Sequence, residues 1–137
     1  MKPVTVSQLL KRMSRTELFA LLGRETLTDS ANSQSPDSGL RIVMLNFKPV
    51  LFEGQQAAVS AMLKDDTLIT VAVSIPRRGM ATIDDFTKLK SDIVREIGDP
   101  TAYTDTYIDY MMKGMQSVFG SFKDGKIKVD ILTKLGS

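Results

Sequence analysis

Three pairs of carboxylates, Asp65-Asp66, Asp84-Asp85 and Asp105 with Asp109, are the residues of this chain whose types and spacing could do chemistry. Two carboxylates held close can share a proton for acid–base work or supply oxygen ligands to a hard cation such as Mg²⁺. Each use also needs a third group or a shaped pocket, and the spacing supplies neither. Asp65-Asp66 lies in the polar break KDDT between two apolar runs, where a hairpin turn accounts for it. Asp84-Asp85 falls in the first turn of an expected helix, where acidic side chains complement the dipole. Asp105 and Asp109 stand at i and i+4 of a further expected helix.

The chain has no histidine and no cysteine, so no histidine base, thiolate nucleophile, disulfide or thiolate metal site can be built. No Walker A pattern, G-x-G-x-x-G or nucleophile elbow is present. The expectation is a protein that is not an enzyme, with no catalytic residue, no metal and no cofactor.

Arg77 and Arg78 stand side by side in SIPRRGMATIDDF, just before the helix expected from Thr82. First-turn amides are unpaired and the dipole end is positive there, so the two guanidiniums and a flexible Gly79 could hold a phosphate or carboxylate. Pairing of both arginines with Asp84 or Asp85 is the alternative. A second basic group precedes it: Lys2, Lys11, Arg12, Arg15 and Arg24 stand against Glu17 alone within residues 1–24, a net of +4, whereas the whole chain carries +2. Lys11, Arg12 and Arg15 join Arg77 and Arg78 as candidate contacts to an acidic partner, nucleic acid included.

These residues must be held by elements that the hydrophobic pattern outlines. Residues 4–22 carry Leu9, Leu10, Met13, Leu18, Phe19, Leu21 and Leu22 among helix formers. Ser14 with Glu17 three residues later is a capping box, so one long helix and two short ones breaking near Ser14 are equally open. Residues 25–39, ETLTDSANSQSPDSG, have the composition of a polar linker. The division expected is a basic helical arm over 1–24, the linker over 25–39 and an α+β body over 40–137, one domain overall. The arm could dock on its own body or on a neighbour, and exchange of such an arm builds oligomers at little cost.

Within the body, LRIVMLNFKPVLF, QQAAVSAML and LITVAVSI read as three strands joined at Glu53-Gly54 and at residues 64–67, an antiparallel meander with Pro49 at a bulge or edge. The last run alternates, with Ile69, Val71, Val73 and Ile75 on one face and Leu68, Thr70, Ala72 and Ser74 on the other. Val59, Ala61, Thr70, Ala72 and Ser74 make a small-residue sheet face suited to close approach by a helix, a sheet or a ligand. Phe86, Leu89, Ile93 and Ile97 recur at helical spacing between a Thr82/Asp85 capping box and a Gly98–Pro100 stop. A second helix is expected over residues 104–119, with Tyr107, Ile108, Met111, Met112, Met115, Val118 and Phe119 on its apolar face. A final strand after Asp124-Gly125 alternates Ile127, Val129 and Ile131 with Lys126, Lys128 and Asp130, as a solvated edge strand does. The fold class is therefore α+β: N-terminal helix, polar linker, three-stranded antiparallel meander, two helices and a short C-terminal strand. In element order alone, a sheet followed by two helices resembles the coat subunits of single-stranded RNA phages, and no residue is carried over from that likeness.

An apolar fraction of 42% and a charged fraction of 25% fit a globular domain, with no run long enough to cross a bilayer and no signal-peptide pattern at the N-terminus. A cytoplasmic setting is expected, or a virion if the protein is viral, and no membrane partner. Two functions follow as expectations. The first is an assembly or binding protein, a small homo-oligomeric subunit with a virion-like or nucleic-acid-associated role, whose basic arm meets an acidic partner. The second is a protein-only adaptor, inhibitor or chaperone that binds through the Met/Tyr helix and the sheet face. The candidate interface residues are Leu18, Phe19, Tyr107, Met111, Met112 and Met115.

Overall fold

The computed structural model describes residues 3–24, 27, 33–35, 42–76, 79–112 and 116–133. Three two-residue turns set the sheet. Glu53-Gly54, Asp65-Asp66 and Asp124-Gly125 each have both residues at positive φ, between 49° and 82°, the left-handed pair whose twist matches that of the flanking strands. They close β3 (Ile42–Phe52) onto β4 (Gln55–Lys64), β4 onto β5 (Thr67–Ile75), and β8 (Ser117–Lys123) onto β9 (Lys126–Leu132). The remaining strands are β1 (Pro3–Val4), β2 (Ser33–Ser35), β6 (Ala102–Tyr103) and β7 (Tyr107–Met111). All nine form one sheet with the order β1-β3-β4-β5-β9-β8-β7-β6, and β2 pairs with β3. The sheet is mixed, because β1 runs parallel to β3 while the other pairs are antiparallel.

The helices pack on one face of this sheet. They are α1 (Val6–Leu9), α2 (Arg15–Leu22) and α3 (Ile83–Ile97), and all three start at capping boxes: Thr5 with Gln8, Ser14 with Glu17, and Thr82 with Asp85. On α3 the spacing of Phe86, Leu89 and Ile93 makes a single apolar stripe, and all three are fully buried. Each such burial contributes about 1.5–3 kcal/mol. Phe86 stacks on Phe122 with centroids 6.2 Å apart, and Gly120 of β8 leaves the room this needs: a Cβ there would meet Ile108 Cγ2 at 3.1 Å and Phe86 Cε1 at 3.7 Å. The same core takes in Phe47, Phe52, Leu63, Leu68, Val71, Val73, Ile127 and Val129 from the sheet, and Leu9, Leu18 and Leu22 from the first two helices.

The expected fold class is corrected in several respects. The three-stranded meander is present as β3-β4-β5, but it is part of a much larger sheet. Among the described residues there is no helix over 104–119; β7 and the first three residues of β8 occupy that range, with β6 just before it. Tyr107, Ile108 and Met111 fit a helical period, yet burial follows a period of two, with Ile108 and Tyr110 inside and Met111 71% exposed. The stretch TAYTDTYIDY is rich in β-branched and aromatic residues, which pack well on a pleated surface, and β8, paired with β9 on one side, takes β7 on its other edge. With that helix absent, the element order that resembles the RNA-phage coat subunits is absent too.

The C-terminal strand is likewise not an edge. β9 lies between β5 and β8 near the middle of the sheet, and its lysines are exposed because one face is uncovered. The alternation expected in β5 is shifted by a bulge opposite Met62/Leu63, so Leu68 pairs with Leu63 inside and Ile69 is the extra residue. A second bulge between Phe47 and Val50 accommodates Pro49, as a residue with no N–H to donate requires. Val59 and Ala61, expected on the small-residue face, are buried under the helices.

The N-terminal segment forms two helices rather than one, and both lie on the chain's own body. The Leu68 amide donates to Met13 O at 2.8 Å, the Arg15 amide to Asp66 O at 3.0 Å, and Gln116 Nε2 to Leu10 O at 3.0 Å.

Candidate functional site

Because every helix among the described residues packs on one face, the other face of the sheet carries its own row pattern. Cross-strand pairing aligns Asn46, Ser60, Ala72, Asp130, Phe119, Asp109 and Ala102 in one row across seven strands. A second row runs Met44, Met62, Thr70, Leu132, Ser117 and Met111. The third runs Ala58, Ser74, Lys128, Ser121 and Tyr107. Most of these side chains are small or uncharged. The larger ones cluster toward β7 and β8, where Tyr107 stacks on Phe119 with centroids 6.0 Å apart. Phe119 is 40% exposed. Beside it a hollow of about 310 Å³ lies over Thr70, Ala72, Ser117 and Leu132. Asn46 and Ser60 hydrogen bond to each other on this face. Among the described residues, Lys128 and Asp130 have no ion-pair partner.

The candidate residues from sequence fall in different places. Tyr107 and Met111 lie on the uncovered face, while Met112 at the end of β7 is packed against the core. Phe19 packs edge-on to Phe47 at 6.0 Å, under the guanidinium of Arg24 at 4.9 Å, and Leu18 is fully buried in the chain's own core. Arg15 is held by Asp66 at 2.9 Å. Lys11 and Arg12 are exposed between α1 and α2. Arg77, Arg78 and Met115 lie outside the described residues. The structure thus brings Tyr107 and Met111 together with Thr70, Ala72 and Ser74 on one surface, but does not gather Lys11, Arg12 and Arg15 into a common site with any of them.

The carboxylate pairs read from sequence do not assemble: Asp65-Asp66 forms a turn, Asp85 caps α3, and Asp109 lies on the uncovered face. A different acidic pair does meet. Glu53 reaches from the β3–β4 turn and Glu96 from α3 to the start of α1. Glu53 Oε2 accepts the Val6 amide at 2.7 Å, and Glu96 Oε1 accepts the Ser7 amide at 2.9 Å and the Ser7 hydroxyl at 2.5 Å. Thr5 Oγ1 accepts the Gln8 amide.

Burial, and then the hydrogen bond to Glu96, push the Glu53 carboxyl up to about 7, with the charges of Glu96 and Asp92 adding to the rise. Burial also raises Glu96, but hydrogen bonds from Glu53, Ser7 and Thr5 outweigh it and leave that carboxyl low. Below about pH 7 the pair therefore holds its proton on Glu53, facing an ionised Glu96. Thr5, Asp92 and Arg95 line the adjoining cleft of about 510 Å³, and Arg95 donates to Asp92 at 2.6 Å. Among the described residues no group of three acidic side chains is placed to hold a metal ion. Nothing in sequence brings position 53 to position 96; only the hairpin turn at Glu53-Gly54 was visible there.

A further groove of about 480 Å³ runs along α3 between Lys90, Val94, Asp99, Tyr103 and Ile108. Its Lys90 is committed to Thr104 O and Asp105 O at 2.9 and 3.3 Å, and Tyr110 of β7 ties the end of α3 down through Gly98 O at 2.6 Å. Among the described residues no helix is long and apolar enough to cross a membrane. Comparison with known protein families, with curated proteins and with solved structures finds no match to this chain.

Proposed function

We propose that the protein is a non-enzymatic assembly subunit that associates with further copies of itself through the uncovered face of its sheet. The observation that carries this reading is the extent of that face. Seven strands at roughly 4.8 Å and three rows at roughly 6.8 Å span on the order of 600 Å² in projection, before side-chain relief is counted. A standard stable interface buries roughly 800 Å² on each partner. Small residues at its centre admit another backbone closely, and Tyr107, Phe119 and Met111 supply the aromatic and methionine contacts enriched in interfaces. The non-enzymatic part is supported by the Glu53/Glu96 pair, in which one oxygen of each carboxylate is committed to capping α1.

The adaptor function draws on the same surface, where Tyr107 and Met111 of the Met/Tyr stretch lie beside the small-residue rows. It is favoured by Met111, 71% exposed on that face. Replacing Ala72 with Arg separates surface from fold, because Ala72 is exposed at the centre of the face. Ala72→Arg is expected to reduce self-association by at least tenfold, measured by sedimentation velocity across a concentration series, with the melting temperature nearly unchanged. An association constant equal to wild type would remove this face from the assembly.

A further inference from the structure

We infer that the occupant of the uncovered face is a second copy of the chain, stacked sheet on sheet about a two-fold axis that lies between the sheets and crosses the strands at the level of Val129. This deepens the assembly function proposed above and rests on it. The inference comes from where the face carries charge. Lys128 and Asp130 are two residues apart on β9, a central strand, and so point to the same side of the sheet. In their rows Lys128 is flanked by Ser74 and Ser121, and Asp130 by Ala72 and Phe119. Among the described residues neither meets an opposite charge within its own row: each has only the other, two residues along the same strand, and Lys126 and Asp109 lie farther out on the face.

A two-fold axis constrains what can cover such a pair. The same patch must be complementary to itself, so residue i meets residue j and j meets i. An axis running along the strands would set Lys128 against Lys128 and Asp130 against Asp130, which is repulsive. An axis running across the strands at Val129 exchanges the two rows, because it reverses the strand direction while keeping each strand over its own copy. Lys128 then faces Asp130 of the partner copy, and Asp130 faces Lys128 of the partner copy.

The same exchange sets each large side chain against a small or polar one. Phe119 comes over Ser121 of the partner copy, Ser74 over Ala72 of the partner copy, and Tyr107 over Asp109 of the partner copy. Two sheets stacked this way lie about 10 Å apart with their strands within about 30° of alignment, so the pairing is closest near the axis. β9 is near the centre of the strand order, where the charges sit.

Two single charge reversals, Lys128→Asp and Asp130→Lys, test this with the full chain. Both positions are exposed, and circular dichroism checks that each variant keeps the wild-type fold. Each variant alone places like charges across the axis, and its dimer dissociation constant is expected to rise at least tenfold by sedimentation. Mixed in equal amounts, the two variants place opposite charges across the axis at both contacts, and a heterodimer is expected to form with close to wild-type affinity. Dimerisation of both single variants at wild-type strength, or no recovery on mixing, would overturn the two-fold stacking while leaving self-association in place. A monomeric wild type would overturn the assembly function itself, and this inference with it.

Discussion

Glu53 and Glu96 stand 43 positions apart in the chain, yet together they satisfy the first amides of α1, at Val6 and Ser7. Short-range partnerships of this kind were open to sequence reasoning. The Ser14/Glu17 and Thr82/Asp85 boxes are three residues apart, and both close as their spacing implies. The glutamate pair was not, because it depends on the β3–β4 turn and α3 being folded against the same four-residue helix.

Its consequence is a pH dependence whose sign can be worked out. Glu53 has a folded-state carboxyl raised from 4.5 to about 7. Its contribution to stability is thus fully present below pH 4.5 and is lost as pH rises through 7. Glu96, held low, acts in the opposite sense, losing its contribution as pH falls below its ordinary range. Asp92 and Arg95 also face the cleft and pair with each other. Glu53→Gln keeps an acceptor for the Val6 amide and a donor toward Glu96 without a titrating proton. It is expected to flatten the decline in melting temperature between pH 4.5 and 7 and to melt above wild type on the alkaline side. An unchanged slope would show that the pair does not share a proton.

At the scale of elements, what was legible depended on whether one periodicity stood alone. α3 has its cap, its stripe of Phe86, Leu89 and Ile93, and its Gly98 stop all in agreement, and it folds as expected. Residues 104–119 carry two patterns at once, and the helical one is decoyed by Met111 and Phe119, which are exposed on the uncovered sheet face. Gly120 follows directly on the helix expected over residues 104–119. Its actual place is on β8 beneath Phe86, where any side chain meets Ile108. Gly120→Val should therefore lift α3 from β8 and cost about 1–3 kcal/mol by overpacking, read as a lower denaturation midpoint with the m-value retained. A neutral result would mean that α3 is not seated on this strand.

For the whole molecule, the three hairpin turns and the strands β3, β4, β5 and β9 could be read from local residues, but β8 and the strand order could not. β9 inserts between β5 and β8, more than 50 residues from its β5 partners, and no local pattern distinguishes that from an edge. Its exposed Lys126, Lys128 and Asp130 fit both positions, and a central strand carries them because, among the described residues, no helix covers that face. The same one-sided layering leaves the rows around Ala72, Lys128 and Phe119 open, and this is the basis of the proposed assembly.

The most direct measurement is the mass of the full chain in solution by light scattering after size exclusion, over a range of protein concentrations. A sheet-on-sheet pair gives twice the 15.1 kDa of one chain at tens of micromolar, with dissociation on dilution. A mass that stays at 15.1 kDa up to the highest concentration reached would contradict assembly through this face.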